Sequence, residues 1–546
     1  MNILKSKNIL KLSILLVGMT FAAPKLEAQS IPDAIKNEEL LKFQAARSIY
    51  NLLLAKDANN AEVYYHLGMI AYNNFQFDSA KFFFNKGLQL NANEPLNLVG
   101  TGLMKIHDDN KAGAKQDFDK ALSQVEKSPN EKIAYVCQQI VNAIWLEQDA
   151  QDADYAFGLA NKAVQLDPKN LRVKISLGDA YLVKGDGGAG IRQYESVQDL
   201  DPKYLLAQLK VGHCYASPSA KNYQAAIEVF NKIIAQDPNY PPVYPELGEA
   251  YFSMGNLDKA KESYEKFLSL VGNSPAERLR YAELLYFAKD YKDALVQLNK
   301  AYEGLSDNVV LLRLKAICET ELGQYSNGLK SVQMLFQKAK PAQLQAIDYE
   351  YYGRTLIHNN QDSLGVMNLN KAYKEDSTKK YLLDTIAANY AKTKQYDKAA
   401  KVIEHKIALS AGNVDPQDYY NLGRYYLVQA RYKDADTIFA RVVIAYPTWP
   451  VGYYYRAVCN SNIDSSMKSG AAKPFYEKFL GVVGKDSMAY KAQVIEAYTY
   501  LVSYYYNRKD YVKAKEYILK LKAYDPENKQ NNMILKYIDE INKKKK

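Results

Sequence analysis

Five histidines, four cysteines and one glycine-rich stretch are the residues of this 546-residue chain whose types could support chemistry. The histidines at 66, 107, 213, 358 and 405 would suit a metal or a proton transfer, but they are scattered and none shows the His-x-x-x-His spacing of paired ligands on one helix face. An even cysteine count invites disulfides, here among Cys137, Cys214, Cys318 and Cys459. Gly185-Asp186-Gly187-Gly188-Ala189-Gly190 has the glycine content of a phosphate cradle. It lacks the Lys-Ser/Thr ending of a P-loop and follows no strand, so it reads as a turn between helices. Acidic residues are plentiful, and any pairing of two as general acid and base is arbitrary. No catalytic residue, metal ligand or cofactor site is nominated, and the chain is not read as an enzyme.

The elements that would hold these residues follow from a period. Small residues recur about every 34 positions: Gly68, Gly102, Gly178, Gly212, Gly248, Ala282, Ala316, Gly353, Ala387, Gly423 and Ala457. A second series, including Ala80, Ala114, Gly190, Ala260 and Ala435, follows about twelve residues later, so each period holds two close-packed elements. Tyr244, Leu247, Gly248 and Tyr251 share one helix face, and Ala260, Tyr264 and Phe267 share another, with Gly255-Asn256 as the turn. Glycine at 248 costs about 1 kcal/mol of helix propensity against alanine. The reason expected is a close approach to the small surface of Ala260. Cys214, Cys318 and Cys459 each lie two places after a small residue, hence at equivalent inward sites several units apart. Helices pack about 8–10 Å apart, whereas a disulfide needs Cα atoms within about 7 Å. Buried free thiols are expected.

Lys5, Lys7 and Lys11 precede an apolar run from Leu12 to Ala23, and Leu26-Glu27-Ala28 reads as a cleavage site, so residues 1–28 have the pattern of a secretory signal peptide. The mature chain would be exported, periplasmic or secreted, with no integral membrane span. Of the formal net charge of +10, residues 1–28 and the basic tail 543–546 carry most. The body is near neutral, without the basic face that nucleic acid requires.

The pattern resembles the tetratricopeptide repeat family. Leu67-Gly68, Ala80, Phe84 and Gly87 match one unit; Leu177-Gly178, Tyr181, Gly190, Tyr194, Val197 and Pro202 match another; Tyr419, Leu422-Gly423, Tyr426, Ala435, Phe439, Val442 and Pro447 match a third. Pro202, Pro238 and Pro526 close repeats where the second helix must stop. The resemblance implies an all-α fold, a right-handed α-solenoid of about 13–14 antiparallel helix-pair repeats with a C-terminal capping helix. Residues 29–60 would form a truncated first repeat with room for little more than its second helix, and 61–527 the array. An irregular unit is expected at 131–168, insertions near 463–471 and 481–490, and the cap at 528–542.

The same resemblance implies a scaffold for other proteins, with the first helices lining a concave groove that takes a peptide or a helix. Partner-contacting positions transfer to Glu350, Arg354, Tyr420, Arg424, Tyr454 and Tyr506. The alternative is an envelope or secretion-complex assembly factor acting through its convex face. The lysine and asparagine of the chaperone-docking carboxylate clamp are absent from the matching places, which hold Ile175 and Asp179, Leu209 and His213, Pro245 and Glu249, and Tyr420 and Arg424.

Overall fold

Val243–Ser253 and Leu257–Val271 form one helix pair, and the chain reverses between them at Gly255, whose φ is +78°. The N–H of Asn256 reaches back to the Tyr251 carbonyl at 2.9 Å, the bond that ends a helix in a left-handed residue. The Asn256 side chain then accepts from the Lys259 N–H and starts the second helix. Phe75, Asp109, Lys289, Asn360, Lys394 and Ala430 adopt the same left-handed geometry, seven places after their unit's small residue. The turn is therefore imposed by the helix ends, and glycine is optional in it.

This computed structural model describes residues 30–147, 152–272, 274–410 and 412–544. The signal peptide read at 1–28, its cleavage point near Ala28 and the last two lysines of the basic tail lie outside them. The described residues contain 29 α-helices and no strand. None of these helices is long and apolar enough to cross a membrane.

The chain divides after Leu311 into two units. The first holds eight helix pairs, from Ile31–Glu39 with Phe43–Lys56 to Pro275–Phe287 with Tyr291–Leu305. The first pair keeps a short first helix of nine residues that the sequence left little room for. Ser30 and Asp33 form a capping box around Pro32 there, which makes so short a helix sustainable. The irregular unit is a helix pair as well, Asn130–Leu146 and Ala153–Leu166, with Cys137, Val141, Ala156, Ala160 and Ala163 buried. The glycine-rich stretch is only partly a turn. Asp186 accepts from the Ala189 N–H and opens helix Gly187–Leu200 inside it.

The first unit curls until its ends meet. Helix Pro275–Phe287 reaches helix Ala61–Asn73, six pairs earlier: Ser274 bonds Asn74 at 3.2 Å, and Arg280 donates to the Asn73 carbonyl at 3.0 Å while covering the Phe75 ring. Side chains on its inner face bond one another across repeats, Tyr65 to Gln139 at 2.8 Å and Tyr72 to Glu147 at 2.5 Å.

The second unit runs from within helix Val309–Glu321 through six pairs to the capping helix Lys529–Lys544, whose Ile538 is fully buried. The insertion after Ile463 is held by one carboxylate. Asp464 accepts from the backbone N–H groups of Lys468, Ser469 and Gly470 and from the Ser469 hydroxyl. The Ser469 hydroxyl, with these N–H groups, pulls its pKa down to about 2. Gly484–Met488 is a short 3-10 turn.

The small residues make two kinds of contact. A Cβ on Gly353 would lie 2.8 Å from the Gly365 carbonyl oxygen, and one on Gly365 2.9 Å from that of Gly353, a true backbone approach. At Gly248 the obstacle is instead the Tyr264 ring at 2.7 Å, with the Ala260 oxygen at 3.4 Å. The glycine there makes room for a ring one turn beyond Ala260.

All four cysteines are buried and unpaired. Burial pushes the thiols of Cys214 to about 11 and of Cys318 and Cys459 to about 12, and a thiolate is the species that reacts. An aromatic disulfide reagent should therefore titrate four thiols promptly in denaturant without reductant, but far more slowly in the native protein. Fewer than four in denaturant would contradict the free-thiol assignment.

Candidate functional site

The first helices of successive units in the second half present the residues that the sequence nominated, and the fold sorts these into three groups. Glu350, on helix Ala346–His358, is turned inward and buried. Its carboxylate accepts from Lys379 at 2.9 Å and from the Tyr381 hydroxyl at 2.8 Å. Its charge is thus engaged in tying this helix to the next unit. Arg354, one turn on, donates to Glu321 at 2.7 Å and lies over the Tyr351 ring, whose hydroxyl binds the same Glu321.

Tyr420, Arg424 and Tyr454 form the second group, through residues that the sequence reading did not single out. Helix Pro416–Val428 places Tyr420 and Arg424 one turn apart, so the exposed guanidinium stacks over the phenol at 5.5 Å. Tyr420 in turn meets Trp449 at 5.4 Å and Tyr455 at 5.8 Å, and Tyr455 meets Tyr454 at 5.1 Å. Burial, followed by the neighbouring Tyr420 hydroxyl, pushes the Tyr455 phenol up to about 12. Trp449 precedes Pro450, which opens helix Pro450–Ile463. A tryptophan fixed in place by a following proline was the available signal. Tyr455 was hidden in a run of three tyrosines.

The carboxylates around this cluster are engaged. Asp384 and Asp418 share Lys406 at 2.6 and 2.8 Å, Asp436 pairs with Arg456, and Glu496 accepts from Tyr454 at 2.6 Å and Tyr476 at 2.8 Å. Arg424 makes no ion pair among the described residues. The cluster therefore combines an available cation with a fixed aromatic shelf, the composition of an interface anchor.

Tyr506 stands apart. It touches Tyr511 and Tyr537 and borders a hollow with Met467, Met533 and Ile534 beside the capping helix. No group of three or more His, Cys, Asp or Glu able to hold a metal occurs among the described residues.

The sequence profile of the tetratricopeptide repeat matches residues 61–94, 175–241 and 219–276. The chain belongs to the tetratricopeptide-repeat family. The C-terminal part of a TPR repeat-containing protein from Cytophaga hutchinsonii is 30% identical over 47% of this chain and 99% of that one, with a TM-score of 0.41. Yeast Tom70 is 14% identical over 76% of this chain and 98% of that one, with a TM-score of 0.32. Among curated proteins, RNA polymerase II-associated protein 3 of Xenopus tropicalis is 28% identical over 29% of this chain, and BBSome complex member BBS4 of Bos taurus 22% over 51%. The chain spans 21% and 57% of the length of these two relatives. Repeats of this family stack into extended surfaces of a kind suited to contacts with other proteins.

Proposed function

We propose that the chain is an exported scaffold that binds a peptide or a helix of a partner protein along the face of its first helices, with Tyr420, Arg424 and Tyr454 as anchors. The observation that carries this reading is the exposed Arg424, without an ion pair among the described residues, over the ring of Tyr420, which itself packs against Trp449 and Tyr455. The basic and apolar pattern of residues 1–28 supports export.

Cross-linking in cells, followed by mass spectrometry, would map the partner onto individual repeats. Arg424→Ala and Tyr420→Ala should each weaken the recovered complex by about 2 kcal/mol, roughly 30-fold in Kd. Arg424 is exposed, so its loss should leave the melting temperature unchanged. Partner recovery unaltered in both variants would remove this surface as the binding site, and cross-links confined to second helices would favour the convex face.

A further inference from the structure

The first residue of a second helix and the residue five places after the next small residue touch in several units. Phe77 stacks on His107 with ring centroids 4.0 Å apart, Tyr325 stacks on His358 at 3.7 Å, and Lys392 donates to Asp362 at 2.9 Å. In the first unit the same two positions also carry Gly187 and Ser217, which are too small to fill the space between them. A hollow of about 630 Å³ remains, walled by Trp145, Leu182, Ile191, His213 and Cys214.

Its charged neighbours are already paired. Lys210 lies 4.8 Å over the Trp145 ring and donates to Asp179 at 2.8 Å, and His213 faces Glu246 at 3.0 Å. Trp145 and His213 present their rings nearly edge to face, 6.2 Å apart and inclined at 75°. The slot is therefore mainly aromatic and apolar, with Ser217 and Ser219 also in its lining, and its charged neighbours are compensated. Near Trp145, Gln139 on the same helix accepts from Tyr65, and Glu147 just beyond it accepts from Tyr72.

We propose that this hollow is a docking slot for an aromatic side chain, phenylalanine or tyrosine, carried on an extended segment of a partner protein. Such a ring supplies from outside what Phe77 and Tyr325 supply from within their own units. Ring contacts prefer the offset and edge-on arrangements that Trp145 and His213 leave available. This slot deepens the scaffold reading, yet it lies in the first unit and is read out independently of the Arg424 surface.

The chain has two tryptophans, so Trp449→Phe leaves Trp145 as the sole indole reporter. In that background the peptide Ac-Ser-Gly-Phe-Gly-Ser-NH2 and its tyrosine counterpart should change Trp145 emission saturably. The peptide with serine at the centre should need at least about tenfold higher concentration, a difference of about 1.4 kcal/mol. Gly187→Phe should fill the slot internally. A Cβ at Gly187 meets nothing closer than Leu182 at 4.0 Å, so this variant should melt higher and lose the peptide response. Ser217→Tyr, from the opposite wall, should do the same if Gly187→Phe fails to fold. An emission that ignores the phenylalanine and tyrosine peptides, follows the serine peptide equally well, or persists in a folded filled-slot variant would overturn the proposal.

Discussion

Phe84→Ala is expected to destabilise the first unit by about 3–5 kcal/mol, lowering its melting temperature by roughly 10 °C. The side chain is fully buried. Its ring fills the space that two glycines of successive first helices leave open. A Cβ on Gly68 would lie 2.3 Å from it, and one on Gly100 2.2 Å. Alanine at 84 would vacate this space, and the two helices cannot close over it without moving their neighbours, because each packs on both sides. Gly68→Ala attacks the same contact by overfilling it, at a smaller cost of about 1–3 kcal/mol. Phe82, two residues away and 62% exposed, is the control: its change to alanine should stay within about 0.5 kcal/mol. Urea titrations followed by circular dichroism check all three. Equal losses for Phe82→Ala and Phe84→Ala would show that the ring is not wedged between the glycines.

Arg313→Met is the second large effect, about 3–5 kcal/mol on the second unit. Asp348 is buried with its carboxylate closed off from solvent, and Arg313 grips it with two parallel bonds at 2.7 and 2.8 Å. The same carboxylate accepts the Gln345 N–H at 2.9 Å and caps helix Ala346–His358. Removing the guanidinium strands a charge in the interior, whereas most of the pair's Coulombic gain only offsets its desolvation. Adding Asp348→Asn to Arg313→Met should therefore recover much of the loss, since asparagine is neutral and still accepts the cap bond. A double variant no more stable than the single one would place the damage in lost packing of the arginine stem.

The repeat could be read from sequence because its decisive contacts are short-range. Gly423 and Phe439 lie sixteen positions apart, and a Cβ on Gly423 would come within 2.7 Å of that ring, so one unit records the whole constraint. What the glycine faces was less visible. A small residue signals that something large comes close, but a ring, as at Gly248, and a backbone, as at Gly353, leave the same mark.

The site was legible in part. Arg424 and Tyr420 came from their places in the repeat, and the fold does stack them. Trp449 and Tyr455, which complete the shelf, come from the next unit: Trp449 is marked only by the proline after it, and Tyr455 is hidden among neighbouring tyrosines. Glu350 looked the same as Arg424 from sequence, since position alone does not reveal whether a neighbouring Lys379 and Tyr381 will satisfy a charge.

The sequence by itself determined the helix pairs, the turns between them, the buried thiols and the family, because each depends on contacts within one unit or between neighbours. Only the tertiary structure decided that Ser274 meets Asn74, two hundred residues earlier, and that Tyr65 and Tyr72 are bonded by Gln139 and Glu147 of a later repeat. Those outcomes sum small rotations over six successive helix pairs. No single repeat encodes the sum, so it decides which surfaces remain open to a partner without leaving a motif in the sequence.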